Sequence, residues 1–185
     1  MFELEDWSND RIATEFGILQ RIPAGEWVSG KPLSSVVMAA FCHPHPYGGR
    51  FNDATRGAWY AARDLRTAHA EAAYRRGAEL REVGITEMRL QVRLYVATFN
   101  STFHDLRGPG RDYAAFHEPG SYVASQALAK QLLDEGSNGV LYRSVRRAGG
   151  ECISCFRPKL VSNVRVGGHF EYRWEGAPEP LIREL

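Results

Sequence analysis

Two glycines run directly into an arginine at Gly48-Gly49-Arg50-Phe51-Asn52. Glycines lack a Cβ, so backbone N–H groups there can approach a phosphate, and the adjacent guanidinium can add bidentate, charge-assisted bonds. Neither the Walker pattern nor the Rossmann glycine fingerprint is present, which leaves a solvated turn as the plain alternative. Glu71 stands among Ala68, Ala70, Ala72 and Ala73. A carboxylate among alanines carries less solvent than one on a Lys-rich face and is available to stabilise a developing positive charge; the alternative is an exposed helix glutamate. Ser144 lies between a strand pattern and Gly149-Gly150 with no Gly-x-Ser-x-Gly elbow around it. That context favours a hydrogen-bonding role over that of a nucleophile. Cys152 and Cys155 have the spacing of a redox or zinc pair, yet residues three apart in a strand face opposite sides, and no second pair completes a site. His43 and His45 sit between prolines without carboxylate partners, and the remaining histidines show no ligand spacing. No metal site is expected.

These groups need elements to carry them. Two prolines and two glycines in Cys42-His-Pro-His-Pro-Tyr-Gly-Gly49 predict a loop ahead of Arg50. The Ala-, Leu-, Arg- and Glu-rich stretch predicts a helix capped by Thr67, running through Glu71 to Glu82 and stopping at Gly84. Alternation of Met88, Leu90, Val92, Leu94 and Val96 with polar residues predicts a half-buried strand. A second helix is predicted over 121–135, with Ala124, Leu128 and Leu132 on one face. Short strands follow over 139–143, 151–156 and 165–174, the last with Phe170, Tyr172 and Trp174 facing a core. Residues 1–35 read as an irregular lead-in packed on the core, holding one helix and one short strand. The sum is a single α+β domain.

Taken together, Gly49-Arg50-Phe51-Asn52, Trp59-Tyr60-Ala61-Ala62-Arg63, Thr67-Ala-His-Ala-Glu71 and Gly139-Val-Leu-Tyr-Arg-Ser144-Val-Arg146 followed by Gly149-Gly-Glu-Cys resemble the RES domain. Ser125-Gln126-Ala127-Leu128 falls in the same order, and the resemblance runs over about residues 36–163. It implies a domain over 36–174 with a tail over 175–185. It further implies an ADP-ribosyltransferase-like mixed sheet core flanked by helices. RES proteins are typically toxins of toxin–antitoxin pairs that destroy NAD. Carried over, Arg50, Tyr60, Glu71 and Ser144 match the family's site. Gly49 stands beside them, and Arg21 in Gln20-Arg21-Ile22-Pro23 matches a second, N-terminal arginine. On this footing Glu71 stabilises the ribosyl cation or polarises the ribose 2′-hydroxyl, Arg50 clamps the pyrophosphate, Tyr60 meets nicotinamide or ribose, and Ser144 orients the ribose. NAD is then a substrate, with no bound cofactor, and the acceptor is water, phosphate as co-substrate, or a protein side chain. The resemblance also implies a homodimer neutralised by an antitoxin with an Xre-type helix-turn-helix domain.

Composition is compatible with this. With 185 residues, 44% hydrophobic and 24% charged, the chain can hold a core without disulfides. A formal net charge of +1 gives no general drive toward nucleic acid or an anionic membrane. No apolar run approaches a bilayer span, the N-terminus is acidic where a signal peptide is basic, and the three cysteines are an odd count; a cytoplasmic protein is expected. The competing classes are a protein-directed ADP-ribosyltransferase and a non-enzymatic interaction domain with Arg50 and Glu71 as an internal ion pair.

Overall fold

In a computed structural model, which describes residues 17, 19–108 and 111–185 and every side chain there except those of 111 and 112, the chain forms an α+β domain. Three α-helices are present among these residues: α1 (Ser34–Cys42), α2 (Leu65–Glu82) and α3 (Val123–Asp134). The strands are β1 (Trp59–Ala62), β2 (Glu87–Thr98), β3 (His104–Asp105), β4 (Gly139–Arg143), β5 (Glu151–Cys155), β6 (Ser162–Glu175) and β7 (Leu181–Glu184). They make a four-stranded mixed sheet ordered β1-β5-β4-β3, in which only the β3–β4 pairing is parallel, and a three-stranded antiparallel sheet ordered β2-β6-β7.

The strand alternation sorts side chains onto the two faces of the larger sheet. Tyr60, Tyr142 and Cys152 lie with Phe51, Ala129 and Leu132 in one apolar cluster under α3. Trp59 and Cys155 lie with Val37, Phe41 and Ile22 in a second under α1. The two cysteines of the Cys-x-x-Cys pattern therefore belong to opposite faces, both free and buried. A third cluster of Phe170, Tyr172 and Trp174 on β6 carries Ala72, Ala73 and Leu80 of α2. Gly77 of that helix is buried against the Pro178 carbonyl and Trp174, where a Cβ would make ordinary contacts at 3.4 and 3.6 Å.

Several expectations change. Asp64, not Thr67, caps α2: its carboxylate accepts from Thr67 N at 3.0 Å and Thr67 Oγ1 at 2.7 Å, so the helix starts two residues before Thr67, which becomes part of the first turn. The β2 alternation breaks after Leu94, where β6 holds Gly167 unpaired, and Tyr95 and Ala97 enter the second cluster. In the lead-in, residues 1–16 lie outside the described residues. Residues 19–35 contain a 3-10 turn over Ala24–Glu26 and no strand. Glu26 ties that turn to the far side of the sheet through Arg157 at 2.6 Å and Arg56 at 3.4 Å. Beyond Trp174 the chain turns back, and β7 pairs with β6 from Phe170↔Glu184 to Arg173↔Leu181. Among the described residues no helix is long and apolar enough to cross a membrane.

Burial pushes the Tyr60 and Tyr172 hydroxyls and the Cys152 thiol up to about 12, and the Cys155 thiol to about 11. The folded chain keeps these protons at pH values where the unfolded chain, titrating near 9 and 10, has lost them. The stabilisation is complete below about pH 9 and is lost as pH rises from there toward 12. Urea unfolding at pH 7 and at about pH 10 checks this: the midpoint falls at the higher pH, whereas an unchanged midpoint would show that folding does not raise the titration of these hydroxyls and thiols.

Candidate active site

On α2, Thr67, Glu71 and Tyr74 fall at i, i+4 and i+7, one face of the helix, while Ala72, Ala73 and Leu80 pack on β6. Glu71 is thus half-buried rather than exposed. Ser144, just after β4, donates its Oγ proton to Glu71 Oε1 at 2.6 Å. The same oxygen accepts Arg146 N at 3.1 Å and Arg147 N at 3.0 Å. Ser144 is therefore a buried turn residue whose single proton is aimed at the carboxylate, an arrangement for orientation and not for attack. Glu71 Oε2 has no hydrogen-bond partner among the described residues. Behind the pair, Thr67 is fully buried and accepts from Arg147 Nη1 at 2.9 Å. Gly150 leaves the room for this, because a Cβ there would lie 2.7 Å from Thr67 and 3.0 Å from the Ser144 Cβ.

Opposite stands the loop that carries Arg50. The Gly48 amide donates to His45 O at 2.7 Å and the Gly49 amide to Asn52 O at 2.9 Å. The expectation of free backbone donors for a phosphate is corrected here: the glycines build a tight turn and the donor left over is the side chain of Arg50. Gly48 takes φ +71, and a Cβ on Gly49 would lie 2.7 Å from the Tyr60 hydroxyl. That hydroxyl accepts from Phe51 N and donates to Asn52 Oδ1, both at 2.8 Å. Tyr60 thus pins the loop with its hydroxyl, which leaves only its ring for any ligand.

Arg50 is 93% buried, with 7% exposure. Its Nη1 donates to the carbonyls of Phe116 at 3.2 Å and Glu118 at 2.9 Å, and its guanidinium lies 4.7 Å from the Tyr122 ring centroid. Nη2 is buried with no partner. A buried guanidinium nitrogen without an acceptor is costly. The internal Arg50–Glu71 ion pair expected of an interaction domain does not form. Tyr142 and Cys152, paired across β4 and β5 as the floor of this region, feel the charges of both. Burial lifts the Cys152 thiol first, the Glu71 charge adds to that, and Arg50 acts against it; Tyr142, also raised by burial, feels the same two charges.

Gln126 is the residue whose role the sequence did not disclose. From α3 its side-chain amide donates to the carbonyls of Gly49 at 2.9 Å and of Tyr47 and Asn52 at 3.1 Å. Its place in Ser125-Gln126-Ala127-Leu128, which falls in the RES-like order near the start of a helix, was the signal available. Gln126→Ala removes the amide shared among these carbonyls, of which that of Asn52 keeps a second donor, the Gly49 amide, and is expected to destabilise by about 1–3 kcal/mol. Gln126→Glu is expected to be worse, since it sets a carboxylate against three acceptors. Denaturant unfolding checks the order of the two.

Arg21 is not brought to this cleft by any contact. It is exposed, donates to Thr55 O at 3.0 Å, and lines a separate cavity of about 180 Å³ with Asn52, Arg56 and Lys130. A larger, mainly apolar cavity of about 1010 Å³, lined by residues such as Trp59, His69, Val92, Tyr95 and Phe170, is bordered by Tyr60 but not by Arg50, Glu71 or Ser144. His69 is bound up with the core, its Nδ1 2.7 Å from the Tyr172 hydroxyl. No group of three His, Cys, Asp or Glu able to hold a metal occurs among the described residues.

The sequence model of the family described as RES domain matches residues 18–175. No curated protein matches the chain.

Proposed function

The chain belongs to the RES-domain family, and on that footing we propose that it is a NAD-cleaving toxin that breaks the nicotinamide–ribose bond between Glu71 and Arg50. The observation that carries this is a carboxylate oriented by Ser144 together with a buried arginine whose Nη2 lacks a partner. The substrate of such a site has a cation-forming centre at one end and an anion at the other. NAD fits both: its pyrophosphate suits Arg50, and its nicotinamide ribose suits Glu71 and Ser144.

In the reaction the C1″–N bond breaks and its electron pair returns to the nicotinamide ring nitrogen, which becomes neutral. The leaving group needs no proton, so stabilisation of the oxocarbenium-like ribose dominates. Glu71 supplies the negative charge, with Oε1 fixed by Ser144 and Oε2 available to the ribose. Water adding to C1″ with loss of one proton gives ADP-ribose; inorganic phosphate in its place gives the ADP-ribose phosphate. Tyr60 acts through the loop that positions Arg50, and Gly49 through the tightness of that turn. Arg21, apart from the cleft, belongs to substrate binding only if the bound NAD extends past Asn52.

The partner is an Xre-type helix-turn-helix antitoxin, and the unit a homodimer in the cytoplasm that binds no DNA itself. The test is thermal stabilisation by NAD. A true site raises Tm with NAD concentration as RT ln(1 + [NAD]/Kd), and Arg50→Ala removes the effect; no shift at millimolar NAD would favour the interaction-domain alternative. Labelled NAD added with a cell lysate separates the transferase, which alone leaves label on a protein.

A further inference from the structure

One arginine beside the site has no part in the chemistry above. Arg146 follows Ser144 by two residues and its amide donates to the Ser144 Oγ. Its guanidinium carbon lies over the Tyr74 ring, 3.3 Å from the centroid, and its Nη2 donates to the Pro119 carbonyl at 2.8 Å. Tyr74 stands one helical turn beyond Glu71 on α2. Neither Arg146 nor Arg50 has a carboxylate partner among the described residues. Both grip the same segment, residues 116–122: Arg50 takes the carbonyls of Phe116 and Glu118 and stacks on Tyr122, and Arg146 takes Pro119 and stacks on Tyr74. Between them, His117 Nε2 accepts Arg143 N at 3.2 Å, and the His117 ring lies 6.5 Å from that of Tyr142 on the floor.

We propose that Arg146 is a positioning residue that latches residues 116–122 to α2 across the Glu71–Ser144 pair. Arg146 and its stack on Tyr74 join three elements around the Glu71–Ser144 pair: the helix carrying Glu71, the turn carrying Ser144, and the strap held at its other end by Arg50. A guanidinium against an aromatic face keeps its plane and its donor direction together. Tyr74 supplies the face and Pro119 receives the donor. With the latch closed, the carboxylate meets the ribose beneath a strap that limits water; with it open, Arg50 still holds the pyrophosphate but the reacting carbon is poorly placed. The inference rests on the NAD-cleaving reading for its kinetics and on the contacts alone for the latch.

Two measurements test it. In steady-state NAD cleavage, Arg146→Ala lowers kcat by about tenfold or more while KM for NAD stays within about threefold, as expected of misplacement rather than lost binding. Tyr74→Leu reproduces the loss, Tyr74→Phe restores most of it by keeping the ring, and the Arg146→Ala, Tyr74→Leu double variant is no worse than either single one. A rise in KM with kcat unchanged, or additive losses in the double variant, overturns the proposal. Independently of activity, chymotrypsin cuts after Phe116 and Tyr122 faster in Arg146→Ala than in wild type under native conditions, with the rest of the chain equally protected. Unchanged cleavage after Phe116 and Tyr122 overturns the latch; failure of wild type to release nicotinamide, with the strap loosened as expected, counts against the NAD reading alone.

Discussion

Glu71→Gln lowers nicotinamide release from NAD by at least about a hundredfold, a loss of roughly 3 kcal/mol of transition-state stabilisation or more. Gln is the informative substitution because it keeps an acceptor for the Ser144 hydroxyl, which lies 2.6 Å from Glu71 Oε1, and nearly the same volume. Only the charge disappears. The cation that forms at the ribose carbon then faces a neutral amide, while substrate binding through Arg50 persists. KM for NAD should change little and kcat should carry the loss. Melting temperature should move little, because Glu71 makes no ion pair and its hydrogen bond survives. Ser144→Ala should act in the same direction but less, since it frees the carboxylate to turn without removing its charge.

Arg50→Lys is expected to raise KM for NAD by about tenfold or more, corresponding to the roughly 1.5–3 kcal/mol of a charge-assisted hydrogen bond. An ammonium keeps the charge but not the fork. In Arg50 the fork has two tasks, with Nη1 on the carbonyls of Phe116 and Glu118 and Nη2 buried without a partner. Lysine cannot serve both, so the strap loosens as the anion site weakens. Initial rates over a range of NAD concentrations, with a melting curve on the same sample, check this. An unchanged KM in a folded Arg50→Lys variant would remove Arg50 from the phosphate role.

Much of the fold that holds this site was legible before any coordinates. The Ala-rich run announced α2, and the β4 and β5 patterns announced the strands that set the floor, because their periodicities are local and regular. What escaped was set by contacts distant in sequence. Asp64 caps α2 because Thr67 can turn both its amide and hydroxyl to it, a choice that composition does not make. The helix at Ser34–Cys42 is apolar on most sides and shows no amphipathic stripe, since it is covered by the sheet and by Ile22. The strand at Leu181–Glu184 follows Gly-Ala-Pro-Glu-Pro and exists only through its pairing with β6.

The site divides in the same way. Glu71 and Ser144 are 73 residues apart and the hydrogen bond between them is a tertiary fact; their types suggested chemistry, and only their order within a RES-like pattern suggested that they meet. The Gly48-Gly49 turn was visible, but its direction was not, and its amides turn inward to the loop. Gln126 and Arg146 were invisible as site residues because each acts on main-chain carbonyls, which any sequence supplies.

The central claim is most directly tested by following nicotinamide release from NAD by the purified chain, with the adenine-containing product separated in the presence and absence of phosphate. Many equivalents of nicotinamide per chain, matched by ADP-ribose or its phosphate and abolished by Glu71→Gln, is the predicted result. No release by a folded chain in either condition, with no label transferred to protein in a lysate, would contradict NAD cleavage at this site.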